Sequence, residues 1–322
     1  RKMVIKKNKK YDIVGIGNAI VDLISEVDDL YLKENNINKG TMSLVDHNII
    51  DKIINEKKII KTMPGGSVAN SIVCIAQQNF KTAFIGKVNQ DELGKKFAEG
   101  LKKENVDFKI TESSVDKHTA RCLILVSADA ERTMNTYLGI SQELSEQDIE
   151  MNMIEESSIM YLEGYLWDLE SAKIAISKSI ETAKRSGTIV AFTISDAFCV
   201  DRFRGEFLDL INNSADIIFA NELEIKSLFK TDNLDKALKN CQTVGKIFAV
   251  TLGDKGAKII YKSDIVNIKA EIVENLVDTT GAGDLFAAGF LSEYIKSQNL
   301  ELCGKEGVKM ASKIIQQYGA RF

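Results

Sequence analysis

The chain has few of the features that mark membrane, secreted or nucleic-acid-binding proteins. Its apolar stretches are too short to span a bilayer, and no signal peptide is visible. Five cysteines, Cys74, Cys122, Cys199, Cys241 and Cys303, are scattered, odd in number and without CxxC spacing, which fits a reduced, cytoplasmic setting. Neither sign of charge dominates. The net charge is −4 with pI near 5.5, and the lysine pairs Lys6-Lys7 and Lys9-Lys10 stand together at the amino terminus. A nucleic-acid surface or polybasic membrane patch is therefore not expected, although a small polyanion can still be held by a local cradle. The two histidines, His47 and His118, are far apart in sequence and have no Cys or His at ligand spacing. No dedicated zinc site is expected, and both read as surface or lid residues. A glycine loop ending in Lys and Ser or Thr is absent as well. Gly15-Ile16-Gly17-Asn18-Ala19-Ile20 follows a strand, but Ile20 stands where a dinucleotide fold needs a third small residue. Pro64 is the sole proline, and its place before Gly65-Gly66 predicts a turn there. The start Arg1-Lys2-Met3 suggests a remnant ahead of the native start, or missing residues.

What the chain does have is alternation of strand and helix, over a length that suits one large domain or a main domain with a smaller one attached. Short apolar runs at 11–17, 82–86, 157–162, 188–194, 217–220 and 246–252 read as strands. Helical patterns cover 67–78, 91–105, 169–185, 203–212 and 234–241, and two more at 282–296 and 302–317 close the chain. The repeat predicts a parallel sheet covered by helices on both faces. Residues 39–46 and 109–127 interrupt it with Thr, Ser, Val and Ile, and Arg121 to Val126 alternates as a strand does.

One segment concentrates chemistry. Asp278-Thr279-Thr280-Gly281-Ala282-Gly283-Asp284 runs directly into an apolar helical pattern. The glycines let backbone N–H groups crowd toward an anion, the helix adds its positive end, and Asp284 lies in the first turn as a candidate base. Alone, the segment also reads as an ordinary capped helix. Upstream stands Gly65-Gly66-Ser67-Val68-Ala69-Asn70, with Asn221-Glu222-Leu223-Glu224 and Thr251-Leu252-Gly253-Asp254-Lys255-Gly256 between the two.

Taken in this order, the four motifs resemble the ribokinase-like carbohydrate and nucleoside kinases, and within them the bacterial adenosine-kinase-like members. The resemblance runs from Asp12 to Ala320. It implies a ribokinase-like three-layer α/β/α domain over 11–322 with a small β lid formed by 39–46 and 109–127, hinged near Gly65-Gly66. Closure of the lid would exclude water that competes with the sugar hydroxyl. It implies ATP as donor, Mg2+, and possibly a monovalent cation such as K+.

The resemblance also assigns roles. Asp284 becomes the general base, and the N–H groups of Ala282, Gly283 and Asp284, next to Gly281, would hold the transferred oxygens. Asp278 is the weaker candidate, set to stabilise the turn or an ion nearby, and Thr279 and Thr280 can reach phosphate or the turn backbone. Asn221 would stand beside the phosphates and Glu224 would act through magnesium's water shell. From the residues alone, the same pair reads equally well as a helix cap and its capping-box acid. Thr251 and Gly253 match the nucleotide-binding turn, while Gly256 can be purely conformational. On the acceptor side Asp22 would accept from two adjacent ribose hydroxyls, with Gly65, Gly66 and Asn70 close by and Arg132 near the substrate. Tyr161, Tyr165 and Trp167 either stack on a base or pack the sheet edge.

The reading that follows is ATP-dependent phosphorylation of a nucleoside 5′-hydroxyl, adenosine first. Inosine, guanosine, ribose or fructose are alternatives within the same chemistry. A noncatalytic nucleoside sensor and a nicotinamide-dependent oxidoreductase are the alternatives outside it. The resemblance allows a monomer or a homodimer.

Overall fold

A computed structural model describes residue 5, residues 8–129 and residues 131–322. Arg1-Lys2-Met3 and the pair Lys6-Lys7 lie outside the described residues.

Two sheets make up the molecule. In chain order the strands of the first half are β1 (Tyr11–Ile16), β2 (Ile20–Glu26), β3 (Met42–Leu44), β4 (Ile59–Pro64), β5 (Thr82–Ile85), β6 (Val106–Asp107), β7 (Ala120–Val126) and β8 (Arg132–Tyr137). Those of the second half are β9 (Ser157–Glu163), β10 (Ile189–Thr193), β11 (Ile217–Asn221), β12 (Ile247–Thr251), β13 (Ala257–Tyr261) and β14 (Asp264–Ile268). The large sheet has the order β14-β13-β12-β11-β10-β9-β1-β5-β6, parallel except at β13 and β14. The small sheet has the order β3-β8-β7-β2-β4.

The apolar runs of the large sheet are buried on both faces because their side chains alternate between two cores. Ile159 and Tyr161 of β9, with Ile217 and Phe219 of β11, join the core under the helices Ser67–Gln77, Ala282–Ser297 and Leu300–Ile314. Met160, Leu162, Ile218 and Ala220 point the other way, under Glu170–Ser186, Ala197–Asn213 and Leu234–Val244. This is the three-layer arrangement of the ribokinase-like fold. The helix read from the sequence as 203–212 in fact starts at Ala197, capped by Asp196, and kinks at Phe203. The kink divides it at the residue where the sequence pattern begins.

From β1 the chain first moves outward to β5 and β6, and later returns to β9 on the opposite side. Strand order therefore reverses between β1 and β9, the position where open α/β sheets leave a crevice at their carboxyl ends. Gly17, just past β1, and Glu163, ending β9, meet there.

The small sheet contains Met42–Leu44 and Ala120–Val126 from the two segments singled out in the sequence, together with β2, β4 and β8. Residues 109–119 are irregular. Pro64 ends β4 opposite Val21, and the chain turns at Gly65-Gly66 into the Ser67–Gln77 helix. His47 and His118, distant in sequence, stack with ring centroids 4.2 Å apart. Among the described residues no cluster of three or more metal-ligating side chains occurs, and no helix is long and apolar enough to cross a membrane. All five cysteines are buried and free.

Candidate active site

A cleft of about 1220 Å³ opens between the two sheets. Its floor carries Asp284, its small-sheet side Asp22, and its far wall Glu224, Thr251 and Gly253.

Asp284 sits in the first turn of the Ala282–Ser297 helix, whose N-cap is Gly281 at φ +79°. A Cβ on Gly281 would come within 2.4 Å of the Ala320 Cβ, so this left-handed corner requires glycine. Ala282 spends its N–H on the Thr279 carbonyl, which takes it out of the cradle expected from the sequence. The N–H groups of Gly283 and Asp284 stand in the first helical turn, where no intrahelical acceptor exists, and open space lies over Gly283. This turn can receive an anion.

The Asp284 carboxylate is held from the opposing helix. Ser67 Oγ donates to its Oδ1 at 2.7 Å and Asn70 Nδ2 to its Oδ2 at 3.2 Å, while Ser71 Oγ donates to its backbone carbonyl at 2.7 Å. Desolvation by the surrounding protein raises its pKa to about 6, with the Ser67 and Asn70 hydrogen bonds and the Arg321 charge pulling the other way. Such a carboxylate is ionised near neutrality yet more basic than a solvated one, which suits it to accept a proton.

Asp22, on β2, lies against Gly65. A Cβ on Gly65 would approach the Asp22 Oδ2 to 2.6 Å, and one on Gly66, at φ +96°, would approach the Asn18 carbonyl to 2.5 Å. The two glycines therefore make room for the protein's own acceptor-side atoms. Burial pushes the Asp22 carboxyl up to about 7 against the pull of Arg321. Glu163, not anticipated from the sequence, is buried at the crevice and lines the cleft. Its two oxygens accept the N–H groups of Asn18 and Val68, both at 3.0 Å, and burial pushes it up to about 7. A lone Glu at the end of an apolar strand was the available signal, but its partners become visible only when β1 and β9 are adjacent.

Asn221 and Glu224 take up the helix-cap reading and stand at the cleft. They form a reciprocal capping box, with Asn221 N–H to Glu224 Oε2 and Glu224 N–H to Asn221 Oδ1 both at 2.8 Å. Both also line the cleft, and burial drives the Glu224 carboxyl up to about 8. Thr251 and Gly253 line the same wall. Gly256 serves its turn, at φ +87° with a Cβ position 2.0 Å from the Ile268 carbonyl, and is not part of the cleft lining.

Asp278 is occupied by structural partners. Its Oδ1 accepts from the Thr280 N–H and hydroxyl, and its Oδ2 from the Gly319 N–H at 3.0 Å and from Arg132 at 2.8 Å. Burial works to raise its pKa, but these donors outweigh it and hold the carboxyl below the ordinary range. Thr280 therefore serves the turn, and Thr279 contributes its carbonyl to Ala282. Arg132, expected near the acceptor, bridges the small sheet to this turn, and its charge also reaches Asp22.

The three aromatic candidates separate. Tyr161 and Trp167 are buried, packed edge-on against Phe219 and Phe207 respectively. Tyr165 lines the cleft with its N–H bonded to Ser195 Oγ, and Phe198, which had no sequence signal, lines it while exposed. Ser195, which also lines the cleft, takes φ +74°, a left-handed conformation rare for a side-chain-bearing residue.

The whole chain has close counterparts. The family model for pfkB family carbohydrate kinases matches residues 12–322. The adenosine kinase from Sinorhizobium meliloti superposes with a TM-score of 0.89 at 40% identity, covering 97% of this chain and 96% of that one. A probable sugar kinase protein from Rhizobium etli CFN 42 gives 0.90 at 40% identity, covering 97% and 95%. Among relatives of known sequence, the ribokinase of Staphylococcus aureus is 29% identical over 81% of this chain and 84% of that protein. A fructokinase-1 from Zea mays is 28% identical over 72% and 74%. The fold, the cleft and these relatives agree: the chain belongs to the pfkB family of carbohydrate kinases and is a phosphotransferase of the sugar and nucleoside kinase type, with ATP as the donor that family implies.

Proposed function

We propose that the protein transfers the γ-phosphoryl group of ATP to the 5′-hydroxyl of a nucleoside, with adenosine as the preferred acceptor. The observation that carries the choice of a nucleoside is the composition of the cleft beyond its hydroxyl readers. Beyond Asp22 and Asn70 the cleft is lined by Met42, Leu44 and Met134 of the small sheet, Leu138 just past β8, Tyr165 just past β9 and Phe198 at the start of the Ala197–Asn213 helix. A free sugar would cover the carboxylates and leave these apolar walls wet, whereas a heteroaromatic base would dry them. The 40% identity to an adenosine kinase supports the same reading.

In this proposal Asp22 accepts from the 2′- and 3′-hydroxyls and Asn70 assists. The 5′-hydroxyl faces Asp284, which takes its proton as the oxygen–phosphorus bond forms and the bond to ADP breaks. The N–H groups of Gly283 and Asp284 receive the transferred oxygens. The donor lies along Asn221, Thr251 and Gly253. Magnesium held mainly by the donor phosphates and water would fit this wall, where the buried Glu224 carboxyl would face its shell. When bound, it neutralises charge between the donor phosphates. For a monovalent cation, Asp278 offers no unfilled oxygen.

An ADP-release assay over nucleosides and free sugars, with the product identified, tests the proposal. Adenosine should give the highest kcat/KM and yield the 5′-monophosphate. If ribose or fructose outperforms every nucleoside, the adenosine assignment fails while the kinase class stands. Tight adenosine binding without transfer to any acceptor would favour a nucleoside sensor.

A further inference from the structure

The short segment that follows the Leu300–Ile314 helix reaches three parts of the site at once. Gly319 donates its N–H to Asp278, Ala320 packs against Gly281, and Arg321 extends toward the acceptor motif. The Arg321 backbone carbonyl is itself fixed by Gln317 Nε2 at 2.8 Å. The guanidinium divides between two acceptors: Nε donates to Asn70 Oδ1 at 2.9 Å and Nη2 to the Gly65 carbonyl at 3.0 Å.

We propose that Arg321 is a positioning residue for phosphoryl transfer, fixing the Asn70 amide and the Gly65 backbone so that Asp284 and Asp22 meet the acceptor in one geometry. This inference rests on the kinase reading above. An asparagine amide offers one acceptor and one NH2. With Oδ1 claimed by Arg321, the NH2 can only face the other way, where Asp284 Oδ2 lies at 3.2 Å. Ser67 holds Oδ1 of the same carboxylate, so both oxygens of the base are tied to one helix. The second arm of the fork acts on the acceptor carboxylate, because the Gly65 backbone it holds is the surface against which Asp22 packs.

The guanidinium also brings positive charge to a cleft crowded with acids. Asp22 on β2, Tyr161 and Glu163 on β9, Tyr165 beyond it and Glu224 at the donor wall all act electrostatically with Asp284, and Arg321 opposes them. Burial pulls the Arg321 pKa down to about 10, which still leaves it charged at neutral pH. Lysine could replace the charge but not the fork, since an ammonium has no planar pair of donors matched to two separated acceptors.

The test compares Arg321→Gln and Arg321→Lys with the wild type. Removing the charge should move the acidic limb of the kcat/KM profile for the acceptor upward by about one pH unit, because Asp284 must be ionised to accept the proton. Activity at neutral pH should fall by roughly ten- to a hundredfold, with the KM for ATP little changed. Arg321→Lys should restore the limb while keeping part of the rate loss. A purely structural role predicts a uniform loss at every pH with the limb unmoved, and that result would overturn the proposal, as would wild-type activity in Arg321→Gln. A readout independent of turnover is the 13C titration of the Asp284 carboxyl, assigned with Asp284→Asn. Its midpoint should rise in Arg321→Gln whether or not any acceptor is phosphorylated, and an unchanged midpoint would refute the electrostatic part. If Arg321→Gln does not fold, Arg321→Lys still decides. Acting through Asn70, the fork predicts that Arg321→Lys lowers kcat/KM in the wild type but adds little further loss on an Asn70→Ala background, whereas full activity of Arg321→Lys, or losses that simply multiply, would overturn the proposal.

Discussion

The two ends of the cleft are built from different materials. At the acceptor end, Asp22, Glu163 and Asp284 converge from β2, β9 and the Ala282–Ser297 helix, and burial raises all three pKa values. At the transfer end, the groups that face an anion are backbone N–H groups of Gly283 and Asp284 and the small residues of the Thr251 turn. The difference follows from what each end would bind. A hydroxyl is neutral and is read by strong acceptors, while a phosphate is already charged and is received by donors. Carboxylates with pKa values near 6 to 7 are partly protonated at neutral pH, so the acidic end repels a polyanionic donor less than its residue count implies.

Asp284→Asn should break the comparison most severely, because it removes the one group assigned to proton transfer. Turnover should fall by roughly two to four orders of magnitude with the fold and ATP binding retained. Near-normal turnover in the purified variant would remove Asp284 from the base role. Next in size, Asp22→Ala should lower acceptor kcat/KM by about a hundredfold and leave ATP affinity nearly unchanged, since a site built around hydroxyl hydrogen bonds fails when their partner is removed. Equal losses at both ends would mean that Asp22 holds the lid and not the acceptor. Glu224→Gln is a smaller perturbation, expected to raise the magnesium concentration needed for half-maximal rate more than it alters acceptor KM. An unchanged magnesium titration would reduce Glu224 to its capping role.

The smallest effect concerns stability. Asp22, Glu163, Glu224 and Asp284 have folded pKa values of about 7, 7, 8 and 6, above those of solvated carboxylates. Their protonated forms therefore favour the folded state. That contribution is complete below pH 4 and is lost as pH rises through 6 to 8. Asp278 and Asp148, whose pKa values are lowered, act in the opposite sense only toward acid. The Tm of the ligand-free protein should drop by roughly a few degrees between pH 5.5 and 8.5. A flat or rising Tm over that interval would show that the burial of these acids is relieved in solution.

The parts of the molecule legible in the sequence were those governed by local pattern. The strands of the large sheet announced themselves as apolar runs, and Gly281 to Asp284 as a glycine corner followed by an apolar helix. The small sheet was only half visible. β2 drew notice only for Ile20 and Asp22 and β4 only for the turn after Pro64, while β8, Arg-Thr-Met-Asn-Thr-Tyr, lacks the apolar run that marks β7. Glu163, Phe198 and Arg321 were missed for a different reason. Glu163 and Arg321 acquire their places through partners distant in sequence, such as Asn70 for Arg321, and Phe198 only through its position in the cleft wall. Arg132 illustrates the converse, a charged hairpin residue whose actual partner, Asp278, lies in the motif read as a phosphate cradle.

The central claim is that carboxylates read the sugar while the apolar wall reads the base, and the most direct test is kcat/KM for adenosine and for ribose in wild type and in Phe198→Ala. Phe198 touches neither Asp22 nor Asp284 in this account, so its loss should lower the adenosine value by about tenfold and leave the ribose value within about twofold. Equal effects on both acceptors, or no effect on adenosine, would contradict the division of the cleft into a hydroxyl-reading floor and a base-reading wall.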